Sequence, residues 1–315
     1  MTSGPPQTQS IEGDASIADR ALPLAGAAVA FVLLYIAATL AARTHGTSPP
    51  LLPWDAGIAL SFALLARAGL RWAPLVVAAF LAAAWVREGA ASFSFSTLWL
   101  AAAEALACAT AAWLLRTPEG TIPNLNRVRP VVRLFFSVAL AAAVVALSVA
   151  VLHALRGEHS AWHVAVASGR SLLSAATAML MVAPLLLLPA WGRLGPIRRP
   201  LVSAETLLQI LTLVVVSWEV FGRFVNEEIH FFYLLFLPLG WIATRHGQPG
   251  AVVALGAVYL APLLSDWFVP HREQAIIELQ IRLVVLGVTS LLIGAMGSER
   301  RLTQEDMLAR QAELA

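Results

Sequence analysis

The sequence has few charged residues and a single cysteine. Charged residues make up 13% of its 315 residues, hydrophobic residues make up 59%, and the mean hydropathy is +0.75. A soluble globule of this size needs more polar surface, so the composition excludes one and places the chain in a lipid bilayer. The single cysteine, Cys108, excludes a disulfide framework and any Cys-based zinc spacing, and redox chemistry is not expected.

The chain has a small net positive charge, but its basic residues do not form a patch. The net charge is +2 and the pI is about 9.2, yet the arginines are scattered between apolar runs, so no nucleic-acid partner is expected. The sequence also has no nucleotide-binding loop, nucleophile elbow, phosphoacceptor His box or metalloprotease motif. We therefore expect no enzyme, no cofactor and no resident metal in this chain.

Long apolar runs dominate the remainder, and they predict an all-α integral membrane protein with about ten transmembrane helices. The predicted spans are 21–42, 52–68, 72–87, 94–115, 131–154, 164–190, 204–222, 230–245, 250–266 and 274–297. The run at 21–42 is too long for a cleavable signal and follows a polar start, so it is interpreted as a retained first helix. Residues 1–20 are expected to form a disordered cytoplasmic tail.

Arginine positions predict the orientation, because cytoplasmic loops retain positive charge. With the N-terminus inside, fourteen arginines fall on the cytoplasmic side and five outside, while Arg170 and Arg282 lie in or near spans. Both termini are therefore expected in the cytoplasm. The stretches LLARAGLRWAPLVVAAF and IATRHGQPGAVVALGAV each join two short spans through an Arg-x-Gly turn on that same side, which argues against five-plus-five inverted repeats.

The stretch SERRLTQEDMLARQAELA at residues 298–315 predicts a charged helix that continues from the last span into the cytosol. Leu286, Ile293, Met307 and Leu314 recur at seven-residue steps, with Arg300 interrupting, which is compatible with a weak coiled coil in a homodimer. We interpret this stretch as a signalling linker toward an output domain beyond Ala315 or toward a separate partner chain.

Glu104, in WLAAAEALACAT, is the acid that lies deepest in an apolar run and is the first candidate for a ligand-binding or sensing site. Its neighbours one turn away are mostly small, which permits close helix approach. The alternative is a hydrogen-bonded structural glutamate. Arg170 is a candidate counter-charge for Glu104 or for an anionic ligand, and it can equally reach the headgroups from its helix end.

Three further groups of residues are candidates for function, and each also has an ordinary structural explanation. Glu278 and Arg282 are four residues apart in the last span and can form an ion pair for signal coupling, or can simply be solvated. Asp55, beside Trp54, is a sensing candidate or a helix-start acid next to an interface anchor. Histidines and acids in the outer segments, such as His153 and His163, have spacing too irregular to predict a metal site.

Three stretches are similar to one known family. The chain resembles the membrane-associated sensor domain of type 1, of the MASE family, over roughly residues 21–300. The resemblance rests on PWDAGIALSFALLARAGLRWAP, on VAPLLLL around Pro184, and on FLPLGWIATRHGQPGAVVAL, with Trp54, Gly57, Pro238, Trp241, Gly247 and Gly250. Family members often carry a Gly-Asp pair in the helix before the proline, where this chain has Ser174 and Ala175.

The resemblance implies a membrane sensor at residues 21–297, in the bacterial inner membrane, ahead of a histidine kinase or diguanylate cyclase. The signal would be a small ligand or membrane partner protein, detected in the membrane or periplasm and transmitted through the last helix in two-component or cyclic-di-GMP signalling. A ten-helix transporter or channel, or a scaffold that binds a partner transporter, are the alternatives.

Overall fold

The structure is a computed structural model that describes residues 26–40, 56–89, 93–117, 119–158, 160–188, 204–222, 230–265 and 273–314. Within these ranges the regular elements are all helical. The helices are α1 (Gly26–Leu40), α2 (Ala56–Ala68), α3 (Ala73–Glu88), α4 (Phe95–Leu115), α5 (Val128–Leu155), α6 (Ala161–Leu187), α7 (Ala204–Gly222), α8 (Phe236–Ser265) and α9 (Glu273–Leu314). Short 3-10 turns precede α3 (Leu70–Trp72) and α8 (His230–Leu235).

The expected count of ten helices is not confirmed, since the described part of the chain contains nine. The predicted spans 230–245 and 250–266 fall on the two halves of α8, which are two helices that meet at a kink at Gly247 and are counted as one element. Gly247 has φ 68° and ψ −154°, a left-handed conformation that glycine adopts without a Cβ penalty. Six helical stretches are long and apolar enough to cross a bilayer, and α1 and α2 are shorter apolar helices.

Small residues bring the helices close together. The fully buried positions of α4 include Ala101, Ala107, Cys108 and Ala111, and α5 and α6, which pack together, also carry buried alanines. Interfaces of this kind let helix backbones approach closely, which is how helices associate in a bilayer. Large exposed aromatics lie at helix ends, among them Trp85, Trp113, Trp162 and Trp218. This placement is typical of the aromatic belts at the two membrane surfaces.

Four arginines cap helix C-termini at one end of the bundle, and we call them the arginine rim. Arg67 donates to the carbonyl of Leu188 at 2.7 Å, after the end of α6. Arg116 donates to Ala66 of α2 at 3.0 Å. The last carbonyls of a helix lack partners within the helix, and a cation there is also favoured by the helix dipole.

The other two arginines of the rim act on α4 and α8. Arg133 donates to the carbonyls of Leu114 and Arg116 at the end of α4. Arg301 of α9 donates to Thr244 and Arg245, just before the interruption of α8. The ends of α2, α4 and α6 and the interruption of α8 therefore each receive a guanidinium from elsewhere in the chain.

The exit helix α9 passes this rim and continues beyond the bundle. It is 42 residues long, its last fully buried side chain is Ala295, and its described side chains from Thr303 onward are exposed. The proposed seven-residue stripe is wrong at Leu286, because this side chain is completely buried within the bundle and cannot meet a second copy. Met307 is 57% exposed.

Candidate functional site

The buried acid in the middle of α4 is held by hydroxyl groups from two other helices. Glu104 is 5% exposed. The hydroxyl of Tyr35, on α1, donates to both carboxylate oxygens, at 3.1 Å to Oε1 and 2.9 Å to Oε2. The hydroxyl of Ser61, on α2, donates to Oε1 at 2.9 Å. Tyr35 and Ser61 are themselves buried, so the site lies between α1, α2 and α4.

Local sequence explains why these three side chains meet. Gly57 of α2 leaves space for the Tyr35 ring, because a Cβ at this position would lie 2.7 Å from ring carbons Cε2 and Cζ. One turn along α4 from Glu104, the Cys108 thiol approaches the carbonyl of Ile58 at 3.5 Å. The small face of α4 predicted from the sequence is therefore the face that packs on α2.

The chemistry open to this site follows from its burial. A carboxyl group inside a bilayer protein is costly to ionise, and hydroxyl donors reduce that cost. Such a group can exchange a proton, or exchange a hydroxyl partner for that of a ligand. Among the described residues there is no cluster of three His, Cys, Asp or Glu side chains that could hold a metal ion.

Comparison with known proteins identifies the family. The family model for MASE1, the membrane-associated sensor domain, matches residues 21–301. The chain belongs to the MASE1 family. Neither the curated proteins nor the solved structures include a match to this chain. The resemblance stated from the sequence is thus confirmed, and the chain is a multi-pass membrane protein whose MASE1 domain is a sensory and not a catalytic module.

Of the other candidate residues in the MASE1 domain, the structure describes Arg170, Glu278 and Arg282. Arg170 is partly buried in the first half of α6, and its pairing with Glu104 stays a prediction. Glu278 and Arg282 do form an ion pair on α9, with side-chain exposures of 58% and 21%. Whether this pair couples an outer event to α9 stays a prediction as well. Trp54 and Asp55 fall outside the described residues.

The histidines of the segments predicted to be outside also have defined surroundings where the structure describes them. The Nδ1 atom of His153 lies 2.6 Å from an oxygen of Glu158, at the end of α5. His163 is exposed in the first turn of α6, which Ser160 caps. The contact between His153 and Glu158 is a local hydrogen bond at a helix end and gives no support to a metal site.

The sequence interpretation missed a polar cluster next to the arginine rim. Glu205, in the first turn of α7, forms a 3.1 Å ion pair with Arg245, and His246 Nε2 donates to Gln209 Oε1 at 2.8 Å. Burial and then the charges of Arg301 and Arg245 lower the pKa of His246 below its usual 6.5, against a smaller opposing effect of Glu205. The residues missed at the acid itself, Tyr35 and Ser61, had one visible signal, a polar residue within an apolar run.

Proposed function

We propose that this MASE1 domain is a bacterial inner-membrane sensor that transmits its signal through α9 to a cytoplasmic histidine kinase or diguanylate cyclase domain. The observation that carries the proposal is the continuity of α9, one helix from Glu273 to Leu314 that packs inside the bundle and then extends beyond it. A continuous helix transmits rotation and translation, whereas a flexible tether transmits neither.

The stimulus enters, in this proposal, at Glu104. Its carboxyl group joins α1, α2 and α4, so a proton or ligand that displaces the hydroxyl of Tyr35 would loosen α1 from the other two helices. The link from there to α9 is through packing, since α2 and α4 pack with α5 and α6, which in turn contact α9. The stimulus is a small ligand, a proton or a membrane partner protein.

A transporter is the main rival, and the positions of two turns disfavour it. Gly69 and Gly247, of the two Arg-x-Gly turns, have φ of 108° and 68°, and each lies beside a rim arginine, Arg116 and Arg301 respectively. Both turns are therefore at the same end of the bundle. Inverted repeats of a transporter would place equivalent turns at opposite ends.

The test is a chimera in which a diguanylate cyclase domain follows α9, with cellular cyclic-di-GMP as the readout. One to four alanines are inserted between Leu302 and Thr303, where each residue turns the downstream part by about 100°. We expect output to rise and fall with helical phase and to return partway near three or four insertions. Glycine insertions of equal length are the control, because they add length and weaken the helix.

A flat response to the alanine series, at equal expression, would contradict signalling through α9. In the same chimera Glu104→Gln keeps the shape of the side chain and removes its titratable group. We expect it to abolish the response of output to external pH or ligand while the domain still inserts. Ser148→Ala is the matched control, because Ser148 is also buried but donates to Val145 of its own helix. An unchanged response in Glu104→Gln would leave Glu104 a structural residue.

A further inference from the structure

Three residues of α9, where it leaves the bundle, contact the ends of other helices. The hydroxyl of Ser298 accepts a hydrogen bond from the backbone N–H of Gln248 at 2.8 Å. The carboxylate of Glu299 accepts one from the N–H of Val128 at 3.1 Å. Arg301 donates to the carbonyls of Thr244 and Arg245. We call Ser298, Glu299 and Arg301 the capping junction.

Each of these bonds has the polarity that its helix end requires. Val128 is the first residue of α5 and Gln248 begins the second half of α8, so both present N–H groups without a partner in their own helix. An oxygen acceptor satisfies such groups, and a carboxylate also complements the positive end of the helix dipole. The carbonyls at the interruption of α8 receive the opposite charge from Arg301.

The caps differ from ordinary ones because each comes from another helix than the one it caps. Capping side chains normally lie next to the helix end in sequence, where they only define a boundary. Here, a rotation of α9 by one residue, about 100°, or a shift by about 1.5 Å would separate all three residues from their partners together. The bonds of the capping junction therefore form only in one rotational position of α9 relative to α5 and α8.

Beside the junction, α8 and α9 approach closely, but one buried side chain between them lacks hydrogen-bond partners among the described residues. A Cβ on Gly294 of α9 would lie 2.7 Å from Ala251 Cβ and 2.8 Å from Gln248 Oε1, so only glycine allows this approach. The Gln248 side chain is completely buried, and neither of its amide atoms has a hydrogen-bond partner among the described residues. A buried amide without a partner is unfavourable, which lowers the stability of this arrangement.

We propose that the capping junction is the latch that holds α9 in one rotational state, and that its release is the step by which the membrane domain passes a signal into α9. This inference rests on the proposed function, since a latch on α9 has a role only if α9 transmits. The latch consists of Ser298, Glu299 and Arg301, which precede the exposed part of α9. The exposed part moves with these three residues because it belongs to the same helix.

The test has two arms that use the same pair of adjacent arginines. Arg301→Ala removes the cap on α8, while Arg300→Ala is the matched control, because Arg300 is exposed in the same turn of α9. In the first arm, hydrogen exchange of the full chain in detergent is followed by mass spectrometry. We expect peptides that span the interruption of α8 and the rim portion of α9 to exchange about fivefold faster in Arg301→Ala, as loss of one cap predicts, and not in Arg300→Ala.

Glu299 extends the first arm to α5. Glu299→Ala should speed exchange at the start of α5 by a similar factor, whereas Glu299→Gln keeps an acceptor oxygen and should stay within about twofold of the parent. Glu299→Gln and Arg301→Lys also serve where an alanine variant fails to insert. Equal exchange in Arg301→Ala and Arg300→Ala would overturn the capping junction.

In the second arm the same variants are placed in the cyclase chimera. We expect Arg301→Ala to change unstimulated cyclic-di-GMP output at least threefold and to blunt its response to stimulus, with Arg300→Ala at the parental level. Faster exchange with parental output would overturn the latch and leave only a structural cap. A flat alanine series beyond Leu302 would instead overturn the proposed function, and the exchange results would be unaffected by it.

Discussion

The hydrogen bond between Tyr35 and Glu104 permits a quantitative prediction about the charge of the buried acid. Tyr35 is 1% exposed, and its single hydroxyl proton is shared between the two carboxylate oxygens. A hydrogen bond to a charged group contributes about 1.5–3 kcal/mol to stability, and one between neutral groups contributes about 0.5–1.5 kcal/mol. The cost of Tyr35→Phe therefore depends on whether Glu104 is ionised.

The perturbation is a double-mutant cycle of Tyr35→Phe with Glu104→Gln. We expect Tyr35→Phe alone to lower the free energy of unfolding by about 1.5–3 kcal/mol, and by about 1 kcal/mol or less when residue 104 is already glutamine. The difference is a coupling of about 1–2 kcal/mol, close to a tenfold change in the unfolding equilibrium. The coupling is favourable because glutamine accepts the same hydrogen bond from Tyr35 but carries no charge to strengthen it.

The assay is equilibrium unfolding in mixed micelles of a mild detergent and SDS, followed by far-UV circular dichroism. Tyr233→Phe is the control for the same chemical change, because Tyr233 is 69% exposed, and it should stay within about 0.5 kcal/mol of the parent. A cost of Tyr35→Phe no greater than that of Tyr233→Phe would refute the conclusion that Tyr35 holds Glu104. A coupling near zero with a clear single-variant cost would show that the acid is neutral.

Two further predictions concern the ends of the bundle. Since Cys108 is buried, an impermeant maleimide should label Glu158→Cys in intact cells and Asn124→Cys only after permeabilisation, and the reverse result would invert the topology. Because the pKa of His246 is lower in the folded protein than the usual 6.5, its contribution to stability is complete above about pH 6.5 and is lost as the pH falls below that value and through the pKa of the folded state. Thermal unfolding at pH 7.5 and 5.5 should therefore show that the unfolding temperature falls less on acidification in His246→Gln than in the parent. His163→Gln, at an exposed position, is the control. Equal decreases in His246→Gln and the parent would contradict the prediction.

The helical architecture could be read from the sequence because lipid imposes it. An apolar run of bilayer length has to form a helix, so the positions of most elements follow from hydropathy alone. The difference in helix count at α8 has a local cause. The stretch RHGQ looks like a loop between two spans, yet the structure needs only one non-helical residue there, Gly247, and the side chains of α9 satisfy the backbone on both sides.

The candidate site could be predicted only in part. The position of Glu104 in the middle of an apolar run indicated burial, which the structure bears out at 5% exposure. Its partners are 69 and 43 residues away in sequence, on α1 and α2, and no local pattern determines which helices become neighbours. The close contact of Gly57 with the Tyr35 ring shows the missing information, because it depends on the tertiary packing of two helices.

The arginine rim joins two properties that membrane proteins usually assign to different residues. Orientation during insertion depends on how many positive charges a short loop carries, so lysine serves as well as arginine, and the charge can move along the loop. The carbonyls of Leu114 and Arg116 need more than charge, because Arg133 reaches both with a planar guanidinium whose donors have a fixed spacing. Substitutions at these positions that are neutral for orientation, such as arginine to lysine, are therefore not neutral for the capping of the helix ends.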